Sequence, residues 1–199
     1  MRFTFQGFQE ALDTATAETI QDVRAAIRST MNKVVKSAKS LTSAEIYKVY
    51  NVPKAILDQR LELFTARINN LEAELRVGGK SVSLSYFGAR QFRGTRVITR
   101  AKVTTRKRAS EFQGVEVEVF RGKRTQLKSA FFQRFKSGHL GILTRTGKGR
   151  YPVLVKSAVS IASMFNRVEI NDAIVRKIDE DLERVFWHEL EFYLNRGSR

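Results

Sequence analysis

The side chains best suited to acid–base chemistry are two histidines, His139 and His188, and they stand far apart in the chain. His139 sits in Gly138-His139-Leu140-Gly141, where it could touch a phosphate, although such a residue is more commonly an exposed turn position. His188 follows Trp187 in a helical pattern and reads as a surface or boundary residue. The acidic run Asp179-Glu180-Asp181, with Glu183, has the right donors for a metal, but consecutive helix residues point in different directions and cannot converge on one ion. A solvated helix face is the plainer reading. The glycines at 138, 141, 147 and 149 lack the Gly-x-x-x-x-Gly-Lys-Ser/Thr spacing of a phosphate loop and do not lead from a strand into a helix. No Ser-His-Asp order, nucleophile elbow or zinc spacing is present. There are no cysteines, which excludes disulfides and thiolate metal sites. The residues therefore point to no catalytic site, metal or cofactor, and to a protein that is not an enzyme.

The basic residues carry more. Lys plus Arg is 36 against 20 Asp plus Glu, a formal net charge of +16. Residues 90–150 hold 17 basic and 3 acidic residues, so almost all the excess lies in one block. A merely solubilising charge would be spread out, whereas a localised one fits a polyanionic partner. The members best placed to face DNA or an acidic partner are Arg100, Lys102, Arg106, Lys107, Arg108, Arg121, Lys123, Arg124, Arg145, Lys148 and Arg150. Such arrays bind the phosphate backbone without base readout, and the binding falls steeply with salt. Phe112 and Phe131 could stack on single-stranded bases, though core packing is the commoner fate of Phe in such strands.

The elements that position these residues follow from periodicity. Apolar residues from Phe8 to Val35 recur at three- and four-residue spacing and predict one helix over about Phe8–Ala38. Thr42 and Glu45 have capping-box spacing, which starts a second helix that ends near Tyr50. Pro53 suits the first turn of a third, reaching about Leu61. The period then becomes two: Leu61–Thr65, Leu71–Val77, Val82–Tyr86, Val97–Thr99, Val103–Thr105, Val115–Phe120, Ala130–Phe132 and Ile142–Thr144 read as strand segments. About six antiparallel strands are expected between 61 and 155, with Arg121-Gly122-Lys123-Arg124 as a turn. A short helix over Ser157–Phe165 and a long one over Val168–Asn195 close the chain, with Gly197 as a stop. The expected fold is α+β: an antiparallel sheet, small barrel or sandwich, flanked by long terminal helices and a helical hairpin. It divides into a helical segment over 1–60, a basic β-rich core over 61–156 and C-terminal helices over 157–199, in one structural domain. No stretch is apolar enough to span a membrane, and the N-terminus lacks signal-peptide features, so no membrane partner and intracellular synthesis are expected.

Ser43–Leu61 also has the outline of a helix-turn-helix, which makes a nucleic-acid-binding regulator an alternative. Against it, Asn51 stands where Gly is common, Tyr47 is bulky at the helix crossing, and Lys54–Arg60 offers few side chains suited to base edges.

Four segments in order carry a family resemblance. They are Leu84-Ser85-Tyr86-Phe87-Gly88-Ala89-Arg90-Gln91, then Lys128-Ser129-Ala130-Phe131, then Gly138 through Val153, then Ser160-Ile161-Ala162-Ser163-Met164-Phe165. Together they resemble the prophage minor tail protein Z family over about Ala25–Leu194. The motif residues are Phe87, Gly88, Ala130, Phe131, Gly138, His139, Arg145, Gly147, Pro152, Met164 and Phe165. Ala158-Val159 and Ala162 replace prolines and a glycine of the family pattern, which favours a continuous short helix there, and Leu143 replaces the commoner Phe. The resemblance implies a bacteriophage structural protein for tail completion, without enzyme activity or cofactor. It implies a place in the virion at the tail or neck, after synthesis in the host bacterial cytoplasm. The implied partners are the tail terminator, tail tube or head–tail connector; the basic block adds the hypothesis of further copies in a ring, six by the symmetry of tail tubes, with phage DNA bound non-specifically. Another virion component, of the neck or baseplate, is the second alternative.

Overall fold

A computed structural model of the chain describes residues 6–93, 96–99, 114–147, 149 and 151–196. In chain order the helices are α1 (Gln6–Thr14), α2 (Ile20–Val49), α3 (Lys54–Asp58), α4 (Ile161–Phe165) and α5 (Val168–Arg196). The strands are β1 (Leu61–Phe64), β2 (Glu74–Val77), β3 (Ser81–Ser83), β4 (Arg90–Arg93), β5 (Arg96–Thr99), β6 (Val115–Phe120), β7 (Lys123–Leu127), β8 (Ala130–Arg134), β9 (Leu140–Arg145) and β10 (Val153–Ser160). The fold is α+β, and every strand pairing is antiparallel.

The chain forms two compact units. The first holds the residues up to Glu45, Asp58–Gly78 and the residues from Phe165 on. Its core is the apolar stripe of α2 (Val23, Ile27, Val34, Val35) against that of α5 (Ile174, Ile178, Leu182, Phe186), all buried. Phe8 of α1 meets Phe186 edge-on at 5.0 Å. The β1–β2 hairpin completes this unit, with Leu61 and Leu75 buried. The second unit holds Ile46–Leu57 and Gly79–Met164. It contains two four-stranded sheets, ordered β3-β10-β9-β8 and β5-β4-β6-β7. Gln91 of β4 is buried and its side-chain oxygen accepts from the Phe132 amide of β8 at 3.1 Å, which ties one sheet to the other.

Several sequence expectations need correction. The first helix does not run through from Phe8 to Ala38. Thr14 donates its hydroxyl back to the Glu10 carbonyl at 2.8 Å, and the Thr16 amide donates to the Thr19 hydroxyl at 3.0 Å. These side-chain bonds compete with the helical ladder and end α1 before α2 begins. No helix starts at Thr42. Nothing between Ala38 and Glu45 breaks the ladder, so α2 continues to Val49, and the short α3 follows after a break at 50–53. The Thr42 hydroxyl is buried without a hydrogen bond instead of capping an end. After α2 the chain pairs with the β6–β7 turn. Asn51 donates its amide to Val119 and Arg121 donates to Val49, both at 3.0 Å.

In the sheets, the run Val82–Tyr86 leaves strand geometry at Leu84, where the Ser83 hydroxyl accepts from the Ser85 amide and begins a 3-10 turn. Lys123 and Arg124 belong to β7, and only Arg121-Gly122 makes the turn. The expected helix over Ser157–Phe165 begins only at Ile161. Ser160 caps it by accepting from the Ser163 amide at 3.1 Å, and Ser157–Ser160 stay in β10, paired with β3. The strand expected at Val103–Thr105, Phe112 and the stop at Gly197 lie outside the described residues.

Candidate interaction surfaces

Of the eleven basic residues singled out, Arg100, Lys102, Arg106, Lys107, Arg108, Lys148 and Arg150 lie outside the described residues. The other four sit at two places. Arg121, Lys123 and Arg124 are brought together at the β6–β7 turn, and Arg145 ends β9 in the other sheet. The Arg121 guanidinium stacks on Tyr47, 3.7 Å from the ring centroid, and also donates to the Tyr47 carbonyl. Arg145 lies over Phe131 at 5.2 Å and donates to the Gly149 carbonyl at 3.2 Å. Rings and carbonyls orient a guanidinium without cancelling its charge. Arg124 pairs with Glu118 at 2.7 Å.

The motif residues divide between packing, turns and surface. Phe87, Ala130, Phe131, Met164 and Phe165 are buried. Gly88 has φ of +55°, and a Cβ there would lie 2.8 Å from the Asn51 side-chain nitrogen. Beside it the Phe87 carbonyl accepts from the Glu118 amide at 2.9 Å, so this glycine lets β6 and the segment after α2 close together. Gly138, with φ of +79°, turns the β8–β9 hairpin. His139 is exposed and stacks with Phe135 at 6.0 Å, and Arg145 and Gly147 are exposed. Pro152 follows a cis peptide bond. His188 is exposed, as its surface reading required. Among the described residues no group of three His, Cys, Asp or Glu side chains could hold a metal ion.

The helical unit holds charged groups of another kind. Asp179, Glu180 and Glu183 are exposed on α5, but Asp181, read from sequence as part of the same solvated face, is buried. Burial pushes its carboxyl up. Hydrogen bonds and charge from Arg184 and Lys177 outweigh this and hold it below the usual carboxylate range. Glu189 behaves alike: burial raises it, and hydrogen bonds from Lys33 and Ser29 bring it down. On the other side of α2, the Asn32 side chain clamps the β1–β2 connection. It accepts from the Ala66 amide at 2.7 Å and donates to the Ala66 carbonyl at 3.1 Å. The result is a groove of about 870 Å³ bordered by Arg28, Lys33, Lys36 and Arg67.

These elements coincide with a known family. Residues 6–197 match prophage minor tail protein Z (GPZ). The chain belongs to the minor tail protein Z family. A tail completion protein of Escherichia phage N15 is 25% identical over 154 residues, which covers 77% of each chain. No solved structure matches the chain. As a member of this family the chain is a structural component of a phage tail, with a place in the virion and contacts with other tail components. The family is one of structural tail proteins, which points away from an enzyme. Among the described residues no helix is long and apolar enough to cross a membrane.

The groove is not legible in the sequence, because its cations come from α2 and from the β1–β2 connection. The available signal was the spacing of Arg28, Asn32 and Lys36 along one face of a helix. Nothing local in Arg67-Ile68-Asn69-Asn70 announces that this turn folds against that face.

Proposed function

We propose that this protein completes the phage tail by oligomerising at the end of the tail tube, as a ring, with its basic middle segment turned towards the DNA that passes there. A contact with the tail terminator or a head–tail connector protein accompanies this position. The observation that carries the reading is the concentration of 17 basic against 3 acidic residues within 90–150 of a family member. The described part of the segment supports it. The Arg121 guanidinium is held by the Tyr47 ring and carbonyl, which orient it without cancelling its charge. Heterologous contacts among identical subunits generate a ring where the rotation closes.

The test is DNA binding as a function of salt. Replacing Arg106, Lys107 and Arg108 with Gln should weaken binding and lower the slope of log K against log salt by on the order of 2–3, since each duplex phosphate contact contributes about 0.9. Unchanged affinity and slope, with normal DNA retention in particles carrying the variant, would leave an acidic protein partner as the better occupant of the basic segment.

A further inference from the structure

The groove in the helical unit is basic, shaped and unoccupied by any acid of its own. Lys33 is matched by Glu189. Arg28, Lys36 and Arg67 have no acidic partner among the described residues. Their geometry is fixed from beneath. Asn32 holds Ala66 by two hydrogen bonds, and Arg67 and Asn70 exchange backbone bonds at 2.8 and 3.0 Å. At the tip of that turn Ile68 is 37% exposed, so the rim offers apolar surface beside the charges.

The complementary surface is on the same chain. On the outward side of α5, Asp172, Arg176, Asp179, Glu183 and Trp187 follow one another at three- and four-residue spacing and are all exposed. Arg176 is the one base in this ridge, and Trp187 is 53% exposed. Trp187 also borders the hollow that α5 forms with α1, and Trp is among the residue types enriched at binding hot spots.

We infer that this groove receives the outward ridge of α5 from a second copy of the chain. Asp179 and Glu183 meet the free cations, and Trp187 covers Ile68. The lengths agree. At 1.5 Å rise per residue, Asp179 to Trp187 and Arg28 to Lys36 each span about 12 Å. Duplex DNA fits less well, because three cations around a cleft with an apolar rim lack the long array that phosphate binding uses. Where the groove of one copy takes the ridge of a second while its own ridge enters a third, the contact is heterologous, and its repetition yields a closed ring or a filament. This contact rests on the ring reading given above and supplies its interface.

The experiment is a charge swap read by solution mass. One variant carries D179K and E183K, and the other carries R28E, K36E and R67E. All five side chains are exposed or half-buried and none is part of the core, and circular dichroism with thermal melting checks that both variants fold. Each variant alone repels itself, and its self-association should weaken at least tenfold relative to wild type. The mixture should recover the wild-type mass as an alternating assembly, because each basic half again meets an acidic one. Wild-type mass in either folded variant alone, or no recovery on mixing, overturns the contact while leaving the ring intact. A wild-type chain that is monomeric both in solution and in the tail overturns the ring reading itself. A groove variant with wild-type mass but lost DNA binding assigns the groove to nucleic acid and overturns the contact.

Discussion

Gly88 stands where both backbone geometry and a close neighbour favour glycine. Its φ of +55° costs an L-residue roughly 1–2 kcal/mol, and a Cβ would press on Asn51 at 2.8 Å. Gly88→Ala should therefore lower the melting temperature by several degrees, as read by thermal denaturation; an unchanged melting temperature would contradict the geometry. The buried carboxylates make a second prediction. Asp181 and Glu189 are held below the ordinary carboxylate range, so the unfolded chain binds their protons more readily than the folded one. Their stabilisation is present above about pH 4 and is lost as the pH falls below that range. Glu189→Gln should lower stability at pH 7 by about 1–3 kcal/mol and flatten the acid limb of a denaturant titration. Here the sequence held a signal that was outweighed. Asp181 sits at helical spacing from Ile174, Ile178 and Val185, on the inward face, but the acidic residues on either side of it made the whole run look solvated.

At the scale of elements, local patterns marked helix and strand well and marked their ends poorly. The six-residue alternation of Val115–Phe120 and the stripe from Ile174 to Tyr193 are long enough to be unambiguous. The errors arose where a local capping signal competed with the chain around it. Thr42 and Glu45 have the spacing of a cap, yet an uninterrupted helix leaves no free amides for a cap to satisfy. Ala44→Pro separates the two readings. In the first turn of a new helix it would be tolerated, whereas in the interior of α2 it should cost about 3 kcal/mol or more in urea denaturation. β10 escaped detection for a different reason. Leu154, Val155 and Val159 are all largely exposed, so the strand has no alternation of inward and outward residues for the sequence to display. Its identity comes from pairing with β9 and β3, which is a property of the fold and not of the segment.

At the scale of the whole molecule, composition and motif order carried further than periodicity. The order of the Phe87-Gly88, Ala130-Phe131, Gly138–Pro152 and Met164-Phe165 segments was legible because several of them are fixed by packing or backbone geometry: Phe87, Met164 and Phe165 are buried, and Gly88 and Gly138 have positive φ. The charge of residues 90–150 was equally legible, since it needs no folding to be counted. What the sequence could not display was the basic groove assembled from α2 and the β1–β2 connection, or the exposed ridge of α5, because each depends on which faces the core leaves outside. These surfaces belong to an account in which the chain works as one subunit among several. That account is tested most directly by reconstructing intact particles and locating this chain in the density. It predicts several copies closed into a ring at the end of the tail tube, with residues 90–150 towards the central channel. A single copy, or a ring whose basic segments all face away from the channel, would contradict it.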